Sequence, residues 1–318
     1  MDLKDILAAQ QRLLPFLRRT PMFAASQTPR DPLIENMDLH FKLEMLQATG
    51  AFKVRGALNK MLLCDKEELK KGVVTASGGN HGRAVAYAAL LNQVPSQIYV
   101  PKSAPKHMVD AILAQGAQVY VEGHILDKAA EVATKYAADE GKVYIHGFKD
   151  PEVIAGAGTV GLEIFEDMSD VDTVLIATGG GGLLAGVSMA IKEQNPKVKI
   201  VGVEPVGAPT IAKCLEAGEI IRLPQLNTIA GTLALATTFP LNFEIIQRYV
   251  DEMYQVSDHE MLKAARWLWR RFGIAAEVSA AAVMAVLLTE KYKPAKGEKV
   301  CAIICGLGAD GMAEGRAR

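Results

Sequence analysis

"VDTVLIATGGGGLLAGVSMAIKEQ", residues 171–194, decides the fold. The apolar run up to Ala177 reads as a buried strand, and the residues from Gly182 onward read as a helix. Thr178 and four glycines, Gly179–Gly182, follow the strand and open the helix. A strand running straight into a helix is half of a crossover unit, and the same rhythm recurs on either side. Upstream, GVVTAS (72–77), SQIYVP (96–101), AQVYVEG (117–123) and KVYIH (142–146) read as strands, each separated from the next by a helical pattern. Downstream, VKIVGVEP (198–205), YVDEMYQVS (249–257) and EKVCAIICG (298–306) continue the series around a less regular stretch at 205–245. Ser257-x-x-Glu260 is a capping box that opens one of the later helices. The fold expected is α/β: two three-layer units with mostly parallel open sheets, which bind ligands at the carboxyl ends of their strands.

Composition narrows the function. The chain has 318 residues, half of them hydrophobic and 22% charged, with a formal net charge of −1. That balance gives no electrostatic reason to expect nucleic acid or an anionic membrane surface. No run of apolar residues is long enough for a membrane span, and the N-terminal pattern reads as an amphipathic helix, not a signal peptide. Cys64, Cys214, Cys301 and Cys305 form no C-x-x-C pair, which suits reduced thiols in a cytoplasmic protein better than a disulfide framework or a zinc site.

Four segments carry candidate chemistry. The glycines at 179–182 let backbone amides approach an anion at a helix N-terminus. They lack the spacing G-x-G-x-x-G and the Lys-Ser/Thr of a P-loop, so neither a dinucleotide nor ATP hydrolysis is indicated. A tight turn accounts for one or two glycines; four in a row point to a phosphate. "ASGGNHGRA", 76–84, again joins a strand to a helix, and Ser77, Asn80 and His81 offer hydrogen-bond donors. It suits a carboxylate or a phenolic oxygen, or is a helix start with incidental polar residues. In "CGLGAD", 305–310, Cys305 stands at a strand's carboxyl end, where it meets a ligand or merely packs. Finally, in "ATGAFKVRGALNK", 48–60, Lys53 sits among apolar and small neighbours. One phosphate cradle, one carboxylate loop and one lysine in an apolar niche match what pyridoxal 5′-phosphate requires, because burial frees the amine to form a Schiff base.

These segments, with "KLEMLQATGAFKVRGA" and "IAGAGTVGLEI", resemble the fold-type II pyridoxal-phosphate enzymes, and within them the threonine/serine dehydratases and serine racemases. The likeness runs in the same order over essentially the whole chain. It implies a large domain from 1–70 and 145–318, a small domain from 71–144 inserted in it, an active site in the cleft between them, and commonly a homodimer. No C-terminal regulatory domain is expected. The resemblance implies Lys53 as the cofactor lysine and general base, next to Phe52. It implies Asn80 beside the phenolic oxygen, and Ser77, Gly78, Gly79 and His81 around the substrate carboxylate. Gly179, Gly180, Gly181, Gly182 and Leu183 would wrap the phosphate, Cys305 would face the pyridine nitrogen, and Phe148 would stand against the ring.

Several departures refine that expectation. Ala51 replaces the serine that usually precedes the Phe-Lys pair. Racemases carry a second serine where this chain has Gly78, which argues for β-elimination over racemisation. The family's cation site falls on Glu204, Ala208 and Thr210, and Thr210 supplies no acidic ligand. "TIAGTLALATTFP", 228–240, lacks the aspartate of T-I-A-D-G, so the side-chain pocket is expected to differ. Glu277, in "AAEVSAAA", is either a carboxylate at a helix start or a neighbour of the cofactor. The expected activity is dehydration and deamination of a β-hydroxy amino acid: threonine, serine, 3-hydroxyaspartate, phenylserine or a hydroxyectoine-derived compound. A racemase and a non-catalytic phosphate-ligand binder are the alternatives.

Overall fold

The computed structural model describes residues 1–25 and 34–312. Among the described residues ten strands form two sheets: β1 (Met22–Ala24), β2 (Met37–Lys42), β3 (Val73–Ala76), β4 (Ser96–Val100), β5 (Gln118–Val121), β6 (Val143–Tyr144), β7 (Thr173–Ala177), β8 (Lys199–Pro205), β9 (Glu252–Val256) and β10 (Glu298–Ile303). The larger sheet has the order β1-β2-β10-β7-β8-β9, parallel except for the antiparallel edge pair of β1 and β2. The smaller has the order β5-β4-β3-β6 and is parallel throughout. Each strand expected from the sequence is present.

Burial explains the central strand. Every residue of β7 is buried, and so is every residue of the helix Gly182–Lys192 except the last. A parallel strand covered on both faces carries a continuous apolar run, and TVLIA is one. The β1–β2 pair has no such signature in the sequence. MDLHFK alternates polar and apolar residues, and its Lys42 is fully buried.

Two packing contacts fix the position of Lys53, the first residue of the helix Lys53–Leu63. Gly56 and Gly156 let that helix lie directly on the helix Pro151–Asp167. A Cβ at Gly156 would stand 2.4 Å from the Arg55 carbonyl oxygen, and one at Gly56 would stand 2.6 Å from that of Val153. The opposite flank of the Lys53–Leu63 helix, including Val54, Leu58 and Met61, packs into the apolar cluster under the smaller sheet. Lys53 therefore starts the helix that joins the two sheets.

The less regular region contains the helices Thr210–Ala217 and Pro240–Tyr249, with no regular element between them. The Ser257 capping box is formed: its Oγ accepts from the Glu260 N–H at 3.3 Å, and a Glu260 carboxylate oxygen accepts from the Ser257 N–H at 2.6 Å. All four cysteines are free thiols. No described helix is long and apolar enough to cross a membrane.

Candidate active site

Past the end of β10 the chain weaves three segments together. Ala51 bridges Gly306, and Ala276 bridges Leu307, both antiparallel. The Phe52 N–H donates to the Cys305 carbonyl oxygen at 3.2 Å, and the Glu277 N–H to that of Gly306 at 3.1 Å. This weave sets Lys53, Cys305 and Glu277 around one point at the carboxyl end of the larger sheet. Ala51 takes part through its backbone and is fully buried.

Lys53 Nζ donates to the Gly147 carbonyl oxygen at 2.7 Å and lies 5.0 Å and 5.9 Å from the ring centres of Phe52 and Phe148. Burial brings its pKa down to about 8, against the opposing pull of Cys305 and Glu277. The Cys305 thiol is pushed up, first by its own burial and then by Glu277, and is neutral near neutral pH. Glu277 is raised to about 7 by burial, although hydrogen bonds from Asn80 and Thr232 favour its charged form. Asn80 Nδ2 reaches both carboxylate oxygens of Glu277 at 3.1 Å, and Thr232 Oγ1 donates to one of them at 3.2 Å.

Gly182 and Leu183 line the same cleft as Phe52, Lys53 and Gly147. Gly181 adopts φ +90, a left-handed conformation that glycine takes at no steric cost. The first intrahelical bond runs from the Ala185 N–H to the Gly181 carbonyl oxygen, so the amides of Gly182, Leu183 and Leu184 precede it. Such amides are donors for an anion. Around them the loop is closely packed: a Cβ at Gly179 would stand 3.0 Å from Leu233 Cα, and one at Gly180 would stand 2.3 Å from a Phe148 ring carbon. Phe148 thus lies directly against the glycine loop. Thr238 Oγ1 and Asn242 Nδ2 both donate to the Gly180 carbonyl oxygen at 3.0 Å and hold the loop still.

In the second loop, Ser77 Oγ accepts from the Gly79 N–H at 3.2 Å. The amides of Asn80, His81 and Gly82 precede the first bond of the helix Asn80–Asn92, from the Arg83 N–H to the Gly79 carbonyl oxygen. Gly79 faces open space, whereas a Cβ at Gly78 would stand 2.5 Å from Ala104 Cβ. His81 is placed otherwise than expected. Its Nε2 is 3.0 Å from the Ile145 carbonyl oxygen, so it carries the proton and donates there. The other nitrogen, Nδ1, is buried without a partner and can only accept. Burial, then Lys53, lowers the ring's pKa to about 3, so it stays neutral. A neutral ring with one spare lone pair does not bind a carboxylate.

Glu204 is not arranged as a metal ligand. Its carboxylate accepts from the amides of Ile211 and Ala212, at 2.7 Å and 3.0 Å, and so caps the helix Thr210–Ala217. Burial raises its pKa to about 8 despite those two bonds. Thr210 Oγ1 donates to the Leu235 carbonyl oxygen, and Ala208 is buried. Among the described residues, no group of three or more His, Cys, Asp or Glu side chains is close enough to hold a metal ion.

An amine with a depressed pKa and a helix start rich in free amides share one cleft, with a neutral thiol beside the amine. That donor set fits an aldehyde-bearing aromatic phosphate. The family model described as pyridoxal-phosphate dependent enzyme matches residues 13–306.

The chain belongs to the pyridoxal-phosphate dependent enzymes.

Pyridoxal phosphate is therefore its cofactor, and the fold is type II. Within this family it is 40% identical over 306 residues to the L-threonine ammonia-lyase of Thermotoga maritima, covering 96% of this chain and 75% of that protein. It is 38% identical over 314 residues to the serine racemase of Dictyostelium discoideum, covering 98% and 95%. Maize serine racemase superposes with a TM-score of 0.91 at 34% identity, over 96% of this chain and 93% of that structure.

Proposed function

We propose that this pyridoxal-phosphate enzyme is an ammonia-lyase. It eliminates the hydroxyl of a β-hydroxy amino acid such as threonine or serine, and releases a 2-oxo acid and ammonia. The observation that carries this reading is the one-sided placement of the base. The Lys53 amine, with a pKa of about 8, is the proton acceptor of the cleft. At Gly78, where a racemase needs a second acid/base group, Ala104 fills the space a side chain would take.

The cofactor, when bound, supplies the electron sink that makes the α-proton acidic. Lys53 takes that proton as a neutral amine. The amides at the start of the helix Asn80–Asn92 hold the substrate carboxylate, with Ser77 shaping their loop through Gly79. The amides of Gly182 and Leu183 would hold the cofactor phosphate. Asn80, steadied by Glu277, would stand beside the phenolic oxygen, and Phe148 covers the glycine loop. Cys305, a neutral thiol, would face the ring nitrogen without holding a proton on it, which would favour loss of the β-hydroxyl over reprotonation. The water lost in elimination is regained when the enamine product hydrolyses, so serine gives pyruvate and ammonia with no net change in water.

The division into a large unit and a small inserted unit at 71–144 belongs to the same reading, with the Lys53–Leu63 helix packed into the small sheet's core. Four unpaired thiols support a reducing, cytoplasmic setting. The enzyme is expected to be a homodimer.

A panel of L-threonine, L-serine, 3-hydroxyaspartate and phenylserine tests the function. The expected result is equal release of 2-oxo acid and ammonia from at least one of them. A D-amino acid forming faster than the 2-oxo acid would turn the reading to a racemase, and an enzyme inert to the whole panel would overturn it.

A further inference from the structure

His146, on the turn after β6, is built as a fixed donor. Its Nδ1 accepts from the backbone N–H groups of Phe148, at 3.2 Å, and Lys149, at 3.1 Å. An imidazole nitrogen that accepts two N–H bonds carries no proton, so the ring hydrogen is on Nε2. The ring is clamped edge-on between Phe148 and Phe239, with centres 4.8 Å and 4.9 Å apart and interplanar angles of 75° and 84°. Its own backbone N–H is tied to Asp150 Oδ2 at 3.1 Å. Burial, followed by the nearby Lys53 and Lys149 charges, lowers its pKa to about 4, so it is a neutral donor at physiological pH. Nε2 makes no hydrogen bond among the described residues, and it is not one of the fully enclosed unpaired atoms.

The substrate presents three polar groups to the cleft. Its amine goes to the cofactor and its carboxylate to the amides at the start of the helix Asn80–Asn92. Its β-oxygen departs more readily with a hydrogen-bond donor beside it. His81 has given its one proton to Ile145, and Glu277 already accepts from Asn80 and Thr232. His146 is adjacent to Gly147, whose carbonyl oxygen holds Lys53 Nζ. We infer that His146 binds the β-oxygen of the substrate through Nε2–H and stabilises it as its bond to carbon breaks, while the proton that Lys53 took from the α-carbon passes to that oxygen, which leaves as water. The inference rests on the elimination reading above.

Chloride leaves without such a donor, so L-serine and β-chloro-L-alanine separate this role from a merely structural one. His146→Asn keeps a short acceptor for the Phe148 and Lys149 amides but removes the Nε2 donor. Its kcat/KM for L-serine should fall about 10- to 100-fold, while that for β-chloro-L-alanine stays within about threefold of wild type. His146→Gln, which carries an N–H near the Nε2 position, should recover part of the loss on L-serine. It also serves if His146→Asn folds poorly, as judged by thermal midpoint. Equal losses on both compounds, or no loss on either, overturn the inference alone. If wild type takes another member of the hydroxy-amino-acid panel in place of L-serine, that compound replaces L-serine in the comparison; a wild-type enzyme inert to β-chloro-L-alanine and to the whole panel overturns the elimination reading, and the inference with it.

Discussion

Lys53→Ala should yield a folded, colourless protein with no measurable elimination. The lysine supplies two things at once: the covalent link that gives the bound cofactor its visible absorption, and the base that takes the α-proton. Loss of a positioned base alone costs about 10²–10⁴-fold in rate. Loss of the covalent link removes the resting form as well. The fold should survive, because among the described residues the Lys53 side chain makes a single hydrogen bond, to the Gly147 carbonyl oxygen, and the helix it starts is packed through its later residues. A pH dependence accompanies the prediction. Burial lowers the Lys53 pKa to about 8, so the neutral amine is half formed near that pH and nearly complete about one pH unit above it. Uptake of pyridoxal phosphate by wild-type apoprotein, followed in the visible, should therefore have its midpoint near pH 8 and level off about one unit higher. It should not go on rising toward the ordinary lysine range. Colour and turnover retained in Lys53→Ala would remove Lys53 from the centre of the site.

Arg55→Met should produce the largest loss of stability of any substitution near the site. The Arg55 side chain is buried, and all five of its N–H groups are used. Nε and Nη2 grip Glu44 at 2.8 Å and 2.7 Å, Nη1 and Nη2 grip Glu163 at 2.7 Å and 3.0 Å, and Nη1 also reaches Thr159 at 3.1 Å. Lys42, itself fully buried, adds a bond to Glu163 at 2.7 Å. The cluster ties the Lys53–Leu63 helix to β2, to the turn at Glu44–Leu46 and to the helix Pro151–Asp167. Removing the guanidinium leaves two buried carboxylates short of counter-charge, and breaking a buried pair in this way costs about 3–5 kcal/mol. Denaturant unfolding at neutral pH measures it. The Glu163 pKa is lowered despite its burial, by Arg55 and Lys42. A folded-state pKa below the unfolded one gives stability that is present above the unfolded pKa and lost as pH falls through the folded one. The deficit of Arg55→Met should therefore shrink in acid. A variant as stable as wild type would show the network to be incidental.

Much of the site was legible in the sequence because its parts are local. The run from 171 to 194 showed strand, glycine turn and helix in one reading, since a buried parallel strand is a plain apolar run. Lys53 stood out by its company, and Cys305 by its place at a strand end. The charged network was not legible. Lys42, Glu44, Arg55 and Glu163 lie on separate elements, and each alone looks like an ordinary surface charge. Polar residues in MDLHFK concealed β2 in the same way. His146 left no signal because its tautomer depends on two backbone amides of the next turn. His81 was expected at the substrate carboxylate, but its donor is directed at the Ile145 carbonyl, a pairing set by tertiary structure. The steric role of Ala104 opposite Gly78 likewise appears only when β4 brings the two loops together.

The central claim is that Lys53 carries the cofactor. Reduction of the holoenzyme with borohydride, followed by proteolysis and peptide mass analysis, tests it directly. The account predicts a stable pyridoxyl adduct on the peptide containing Lys53 and on no other lysine. An adduct on a different lysine, or none on a protein that is coloured and active, would contradict it.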